Sequence, residues 1–194
     1  MTRFQAVSDL VAKKRRPVPL IKHHVDKAEL DALFPHLRKL QALATKHGIR
    51  DIFQDNGGKY LQLALVTGLK ILKSREGNDA IDETGREFEL KTLNADVVTS
   101  FTTHHHLNPV ILEKYRQVDW VFAVYRSIEL EAVYYMPVSD LEPFFTKWET
   151  KWNQDGKDIN NPKIPLKFVV ENGRKIFPAD QEPNLSDVLG DQVG

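Results

Sequence analysis

The chain has no cysteine among its 194 residues. Neither a disulfide framework nor a metal site with thiolate ligands is therefore possible. The sequence also lacks an apolar run approaching the roughly 20 residues that a membrane-spanning helix needs, and its first residues lack the apolar segment of a signal peptide. These absences predict a soluble, cytoplasmic protein that does not contact a membrane.

Net charge is also absent, because 27 Lys and Arg residues balance 27 Asp and Glu residues. The charges are unevenly distributed: residues 1–25 carry six basic groups and one acidic group, whereas residues 176–194 carry four acidic groups and no basic one. A nucleic-acid-binding protein with this balance cannot depend on overall attraction, so it must place its cations locally.

Length and composition fit one globular domain with tails. We divide the chain into a basic N-terminal extension at residues 1–25, predicted to be flexible, a folded domain at 26–177 and an acidic C-terminal tail at 178–194. The extension contains the basic run Lys13-Lys14-Arg15-Arg16. A solvated arm is the simpler interpretation of this run, and non-specific contact with phosphate is the alternative.

Residues 27–47 carry the clearest helical pattern. Apolar side chains recur at the spacing of one helix face, and Gly48 follows as a terminator. Such a stripe can pack into a core or form the seam of a dimer, and periodicity alone favours the core.

The other patterns predict a mixed α/β domain. Helices are expected at 60–66 after a loop at 55–58, from Asn108-Pro109 through Arg116, and after a capping box at 139–142. Strands are expected at 69–74, 79–82, 86–94, 120–125, 129–135 and 164–170, with another extended segment at 100–106.

An acidic residue, a short turn and a Glu-x-Lys strand form the most informative motif. In residues 86–93 polar and apolar side chains alternate with the period of a half-buried strand, so Glu89 and Lys91 share one face and Leu90 points into the core. Turn residues at 82–85 place Asp79 on the partner strand of a hairpin. The pairing can bring the Asp79 and Glu89 carboxylates to one cation.

Two carboxylates suit Mg²⁺, which takes oxygen ligands and usually only one or two carboxylates, with waters and a substrate phosphate completing the octahedron. Lys91 would lie beside the attacking water and offset charge developing on the phosphate. Glu76 could help to hold a second cation or an outer water. The motif therefore favours Mg²⁺-dependent cleavage of nucleic acid.

A plainer interpretation of the same residues is a solvated polar strand face with surface ion pairs. The pattern [Asp/Glu]-x-Lys also occurs at Glu149-Thr150-Lys151 and Asp155-Gly156-Lys157. The former lies in a helical pattern and the latter in a turn, so only Glu89-Leu90-Lys91 has strand context.

Three consecutive histidines, His104, His105 and His106, follow Thr102-Thr103. Alternation along a strand sends His105 to the opposite face from its neighbours, which argues against a site for one ion. Imidazole N–H groups can donate to guanine in the major groove, whereas exposed strand-end residues are the alternative. Asn160-Asn161 could contact adenine or could only form a turn, and alone the pair favours the turn.

Several segments, in order along the chain, resemble the PvuII family of type II restriction endonucleases, members of the PD-(D/E)xK nuclease superfamily. The similarity covers about residues 26–177. The segments are Phe53–Lys59, Arg75–Asp79, Glu89–Lys91, Thr103–His106, Asn108–Ile111, Lys114–Val118 and Asp158–Pro165.

The resemblance implies a PD-(D/E)xK core, a mixed β-sheet flanked by helices. It further implies a homodimer that cuts both strands of double-stranded DNA at the centre of CAGCTG, leaving blunt ends with 5′-phosphates. A DNA methyltransferase of the same specificity would be its functional partner. Within the domain, residues 27–47 would be the dimerisation helix, 69–125 the catalytic core, and 100–106 and 158–165 the DNA-recognition elements.

The resemblance also assigns roles to individual residues. The implied catalytic residues are Asp79, Glu89, Lys91, Glu76 and Tyr115. The implied metal-binding positions are Asp79, Glu89 and Leu90. The implied DNA-contacting residues are Asp55, Thr102, His104, His105, His106, Asn160 and Asn161.

Two other functions stay open at this point. A nuclease of the same fold could select branched or damaged DNA, although the histidines and the asparagine pair favour sequence readout. A catalytically silent DNA-binding protein is the other alternative. The presence of Asp79, Glu89 and Lys91 together argues against it.

Overall fold

The computed structural model describes residues 25–72 and 78–178. Predictions for residues 1–24, for Glu76 and for residues 179–194 concern residues outside these ranges. The chain divides into two units, residues 1–37 and residues 38–194. No helix in the two described ranges is both long and apolar enough to cross a membrane.

The first helix, α1, runs from Lys27 to Lys46 and confirms the predicted helix to within one residue. Gly48 follows with φ of 80°, a left-handed conformation that glycine adopts without steric cost. Within residues 25–72 and 78–178, the large side chains of the predicted apolar stripe are exposed and are not part of the core; they are Leu30, Leu33, Phe34, Leu40 and Leu43.

Four further helices and a 3-10 turn follow in the described part of the chain. They are α2 (Gly57–Thr67), α3 (Pro109–Tyr115), the turn Val138–Leu141, α4 (Glu142–Asp155) and α5 (Leu166–Asn172). The Asn108 side chain caps α3 by accepting the N–H of Ile111, as the Asn-Pro signal predicts. Helix α2 begins inside the predicted loop, because Asp55 and Asn56 adopt positive φ and turn the chain early.

The main sheet contains six strands in the order β1, β2, β3, β5, β6, β8. Their bounds are β1 (Lys70–Ile71), β2 (Ala80–Ile81), β3 (Glu87–Asn94), β5 (Asp119–Arg126), β6 (Glu129–Met136) and β8 (Arg174–Phe177). Strands β3 and β5 are parallel and the other pairs are antiparallel. The predicted hairpins at 79–94 and 120–135 are both confirmed.

Two short strands form a separate antiparallel sheet: β4 (Ser100–Thr102) and β7 (Lys163–Pro165). The extended segment predicted at 100–106 is therefore only half correct. Residues beyond Thr102 leave the regular ladder because their partner segment turns at Asn161, which has φ of 46°.

The strand predicted at 164–170 is wrong beyond Pro165, since α5 starts at Leu166. A short apolar run fits a strand and a buried helix equally well. The capping box at 139–142 is also wrong. The Ser139 hydroxyl donates to Asp140 (3.2 Å), and the buried Asp119 carboxylate anchors the chain by accepting the N–H of Val138 (2.7 Å).

The core has one cluster on each face of the sheet, and a third, smaller cluster contains Ala44, Ile49, Ile52 and Leu61. Alternating residues of β5 supply the first two: Trp120 and Phe122 join the cluster that includes residues of α3, α4 and α5, whereas Val121 and Tyr125 join the cluster that contains Leu63 of α2. The described domain is thus an α/β fold with helices packed on both faces of a mixed sheet.

Candidate active site

The β2–β3 hairpin places Asp79 at the edge of β3. Its turn uses Gly85, which has φ of 90°. The N–H of Asp79 donates to the carbonyl of Phe88 (3.1 Å), and the N–H of Leu90 donates to Asp79 Oδ2 (3.0 Å). The carboxylate is therefore held where the pairing of β2 with β3 ends.

Glu89 and Lys91 lie on one face of β3, as the alternation predicts. Their side chains are only 8% and 12% exposed, and Lys91 Nζ is 2.5 Å from Glu89 Oε1. Leu90, between them, is buried among residues of the opposite face. The alternative of a solvated polar face is wrong, because neighbouring residues bury most of both side chains.

Aromatic residues pack beside Glu89 and Lys91 on this face of β3. Glu89 and Lys91 lie beside Trp120 and Phe122 in the parallel ladder. Tyr115, at the end of α3, packs edge-on against Trp120 with ring centroids 4.7 Å apart. Lys91 Nζ lies 5.4 Å from the ring centroids of both Tyr115 and Trp120, a separation typical of cation–π contact.

Burial controls the protonation of the carboxylates. It raises the pKa of Glu89 to about 6, although the positive charge of Lys91 opposes the rise. Burial likewise raises the pKa of Asp79, against Lys91 and the N–H of Leu90. Such perturbed acids in a cleft are typical of functional sites.

The two neighbouring basic and phenolic groups keep their protons at neutral pH. Burial lowers the pKa of Lys91, but the surrounding charges, of which Glu89 is the largest, and the hydrogen bond to Glu89 together outweigh it, so the net shift is upward. Burial raises the pKa of Tyr115 to about 12. At neutral pH the site therefore holds an ammonium and a neutral phenol beside Asp79 and Glu89.

All these groups line one open cleft of about 480 Å³. Asp79, Glu89, Lys91 and Tyr115 contribute to its wall. Among the predicted DNA-contacting residues, Thr102 and His104 line the same cleft. Sequence positions assigned to cleavage and to recognition thus meet at one surface.

The two predicted recognition segments are paired with each other. Beyond the β4–β7 ladder, Thr103 Oγ1 donates to the carbonyl of Pro162 (2.9 Å), and the N–H of Asn161 donates to the carbonyl of His104 (3.0 Å). The side chains of Asn161 and His105 meet at 2.9 Å between Nδ2 and Nδ1.

The other histidines and Asn160 lie around this pair. His106 and Asn160 are exposed. His104 Nδ1 accepts the N–H of His106 (3.1 Å), and partial burial lowers the pKa of His104. The turn at 104–106 removes these side chains from the strict alternation of a strand.

Asp55 lies in the loop before α2 and lines a second cavity of about 660 Å³. This cavity and the cleft share three residues: Asn56, Tyr60 and Asp79. Asp55 is therefore adjacent to the cleft without lining it.

Sequence reasoning missed several cleft residues, namely Asn56, Tyr60, Thr103 and Lys114. Each stands beside a residue or turn that the motifs identify, such as Lys114 before Tyr115. Their position next to a motif is the one signal that the sequence offers for these residues. That position does not show which of the neighbouring side chains face the cleft.

The donor set suits a hard divalent cation. No group of three or more His, Cys, Asp or Glu residues able to hold a metal was found within the described ranges. Asp79 and Glu89 are two carboxylates, the number that Mg²⁺ sites commonly use when water and phosphate supply the remaining ligands. Their burial makes an ionised pair unfavourable unless cations offset it.

Comparison with protein families identifies the chain. The model of the family described as restriction endonuclease PvuII matches residues 25–177, which is well over half of the sequence. Members of such a family bind and cleave double-stranded DNA, generally with a divalent metal ion. The fold, the cleft and this match agree, and the chain belongs to the PvuII restriction endonuclease family, as a type II site-specific deoxyribonuclease.

Proposed function

We propose that the protein hydrolyses the central phosphodiester bonds of CAGCTG in both strands of a DNA duplex, in the presence of Mg²⁺, leaving blunt ends with 5′-phosphates. The observation that carries the proposal is the buried Glu89–Lys91 pair. It shares a cleft with Asp79 and Tyr115 and with two predicted DNA-contacting residues. The sequence and its cut position rest on the resemblance to the family.

Asp79 and Glu89 would bind the metal with their carboxylates, and Leu90 with its main-chain carbonyl. The amide of Leu90 already points to the Asp79 edge of β3. Because the N–H and C=O of a strand residue point to the same side, the carbonyl faces this edge too. Bound Mg²⁺ would polarise the phosphate and lower the pKa of a water molecule.

Lys91 would orient the attacking water and offset negative charge on the phosphate. Its raised pKa supports an electrostatic role rather than that of a general base. Tyr115, which packs against Lys91 and Trp120, would contact the scissile phosphate or a metal-bound water. Glu76 would serve as an auxiliary acid.

The paired recognition segments would enter the major groove. His105, His106, Asn161 and Thr102 would contact base edges, while Asp55, His104 and Asn160 would lie close to the DNA. An imidazole N–H suits guanine and an Asn amide suits adenine, and CAGCTG offers both purines in each strand.

A homodimer would present two such sites to the two-fold symmetric duplex, with α1 at the interface. Cleavage of so short a sequence would also endanger the DNA of the cell that makes the enzyme. We therefore expect a methyltransferase that modifies CAGCTG to accompany it in the cytoplasm, as a restriction–modification pair.

The first experiment is cleavage of a mapped plasmid with Mg²⁺ or with EDTA, followed by sequencing of the ends. We expect blunt cuts confined to CAGCTG that disappear with EDTA. Asp79→Ala and Lys91→Ala should abolish cutting, because each removes a ligand or the charge beside the phosphate, while gel shifts in Ca²⁺ should still detect binding to CAGCTG.

Lys151→Ala is the matched control, since Lys151 belongs to a second Glu-x-Lys sequence on the exposed side of α4. It should cut like the wild type. Full activity in Asp79→Ala or Lys91→Ala would reject the site assignment. Clean cuts at another sequence would reject the recognition assignment and keep the nuclease.

A further inference from the structure

Tyr60 has a fixed position between the two cavities. It lies in the first turn of α2, whose start is held against the preceding loop, because the N–H of Gly58 donates to the carbonyl of Ile52 (2.9 Å). The Tyr60 ring packs against two apolar clusters, one containing Leu63 and the other Leu61. Its orientation is therefore set by packing.

The Tyr60 hydroxyl differs from that of its neighbour Tyr125. Tyr125 donates its hydroxyl proton to the carbonyl of Lys59 at 2.6 Å. Across residues 25–72 and 78–178, no side-chain hydrogen bond involves Tyr60, and no buried polar side-chain atom lacks a partner. The Tyr60 hydroxyl is thus free to bond a ligand or a water molecule, and Tyr60 lines both the cleft and the second cavity.

Asp79 lines both cavities as well. Burial raises the pKa of Tyr60, and among charged groups Asp79 has the largest effect, ahead of Lys91, Glu89 and Asp55. At neutral pH the phenol is therefore a neutral donor. Asp79 Oδ2 accepts the N–H of Leu90, and this is the one side-chain hydrogen bond of Asp79 found within residues 25–72 and 78–178.

We propose that Tyr60 is a positioning residue of the cation site, and that its hydroxyl donates a hydrogen bond to a water ligand of the cation that Asp79 binds. This inference rests on the proposed metal-dependent function. Groups that hydrogen-bond to the ligands of a metal orient them and strengthen binding without touching the ion.

The test compares Tyr60→Phe with wild type in the full chain without DNA, using titration calorimetry with Ca²⁺ and Mn²⁺. We expect the dissociation constant of the cation to rise about 3- to 10-fold, the factor that corresponds to the net loss of one neutral hydrogen bond. In cleavage assays the Mg²⁺ concentration for half-maximal rate should rise by a similar factor, and the rate at saturating Mg²⁺ should change less.

Tyr125→Phe is the matched control, because it removes a phenol hydroxyl that contacts the same helix without lining the cleft. Tyr125→Phe should lower thermal stability and leave cation affinity unchanged. Tyr60→Phe should weaken cation affinity and leave thermal stability nearly unchanged. Equal cation affinity in Tyr60→Phe and wild type, or equal losses in both variants, would overturn the role of Tyr60 alone. Absence of cation binding and of Mg²⁺-dependent cutting in wild type would overturn the proposed function with it.

Discussion

The side chains of His105 and Asn161 meet although 56 positions separate them in the sequence. Each lies on one of the paired recognition segments, and main-chain hydrogen bonds hold those segments together. If both groups contact bases, as proposed, a hydrogen bond between them would fix their orientation before DNA arrives and lower the entropic cost of binding. We therefore expect the two residues to act as a unit in recognition.

His105→Ala should reduce discrimination between CAGCTG and near-cognate sites by about 1–3 kcal/mol for each hydrogen-bonded base that the imidazole no longer reaches. Asn161→Ala should have a comparable effect, and the double variant should lose less than the sum, because contacting residues are not additive. Dissociation constants in Ca²⁺ for cognate and near-cognate duplexes provide the measurement.

His47→Ala is the control, since His47 is exposed beyond the end of α1 and outside both recognition segments. It should leave the ratio of dissociation constants unchanged. An unchanged ratio in His105→Ala would remove His105 from the readout, and strict additivity would remove the coupling with Asn161.

At the level of single residues, the spacing in the sequence predicts which carboxylates line one cleft. Glu89 and Lys91 share a face because strand side chains alternate, and the turn at 82–85 returns the chain so that Asp79 lies beside Leu90. Their burial is not predictable from the sequence, because it depends on the packing of Tyr115 and Trp120 from distant elements. No motif marks Tyr60, whose place in the site arises from tertiary packing alone.

At the level of the elements, the start of α2 packs closely against the loop that contains Asp55, and this packing positions Asn56 and Tyr60 in the wall of the cleft. An added Cβ at Gly57 would lie 2.1 Å from the main-chain oxygen of Asp51, and one at Gly58 would lie 3.3 Å from that of Ile52. A main-chain atom cannot rotate away as a flexible side chain can. Only the first glycine is therefore required by a close approach of the backbone.

Gly57→Ala should lower the free energy of unfolding by roughly 1–3 kcal/mol, the range for overpacking, and should slow cleavage by displacing Asn56 and Tyr60. Gly58→Ala should be nearly neutral, because the smaller clash is offset by the helix propensity of alanine. Urea unfolding and cleavage rates of the two variants test this difference. Equal stability of the two would show that the 51–57 loop can relax.

The elements that sequence patterns predict well are those with long, strictly periodic signals. For helix α1 and strands β3, β5 and β6, the predicted bounds agree with the structure within one or two residues. The segment after Pro165 is predicted poorly, because the apolar residues Leu166, Phe168 and Val169 suit a strand as well as a helix. The segment is helical because these side chains pack against the core cluster that includes residues of α4. Strand β8 is too short to carry a pattern.

For the whole molecule, the exposed stripe on α1 needs an explanation. Large apolar side chains that share one helix face rarely stay in water and commonly mark an interface. A second copy of the chain is the occupant that the proposed function requires, because each subunit would cut one strand of a two-fold symmetric site. Sequence periodicity could not separate core from interface, since both bury the same face.

Leu33→Glu should therefore weaken self-association. Leu33 is 52% exposed on the single chain, and a charge at a dimer seam would be buried without a partner. Ile128→Glu is the control, since Ile128 is 77% exposed at the turn between β5 and β6. We expect sedimentation to show at least about a tenfold rise in the dimer dissociation constant for Leu33→Glu, or about 1.4 kcal/mol.

The same variant should lose concerted double-strand cleavage at low protein concentration, where it is monomeric, and recover it as concentration rises, because each cleft stays intact. Ile128→Glu should sediment and cut like the wild type. A monomeric wild type, or a Leu33→Glu protein that remains dimeric with unchanged affinity, would remove α1 from the interface. A Leu33→Glu monomer that still cuts both strands together would mean that one subunit is sufficient for the reaction.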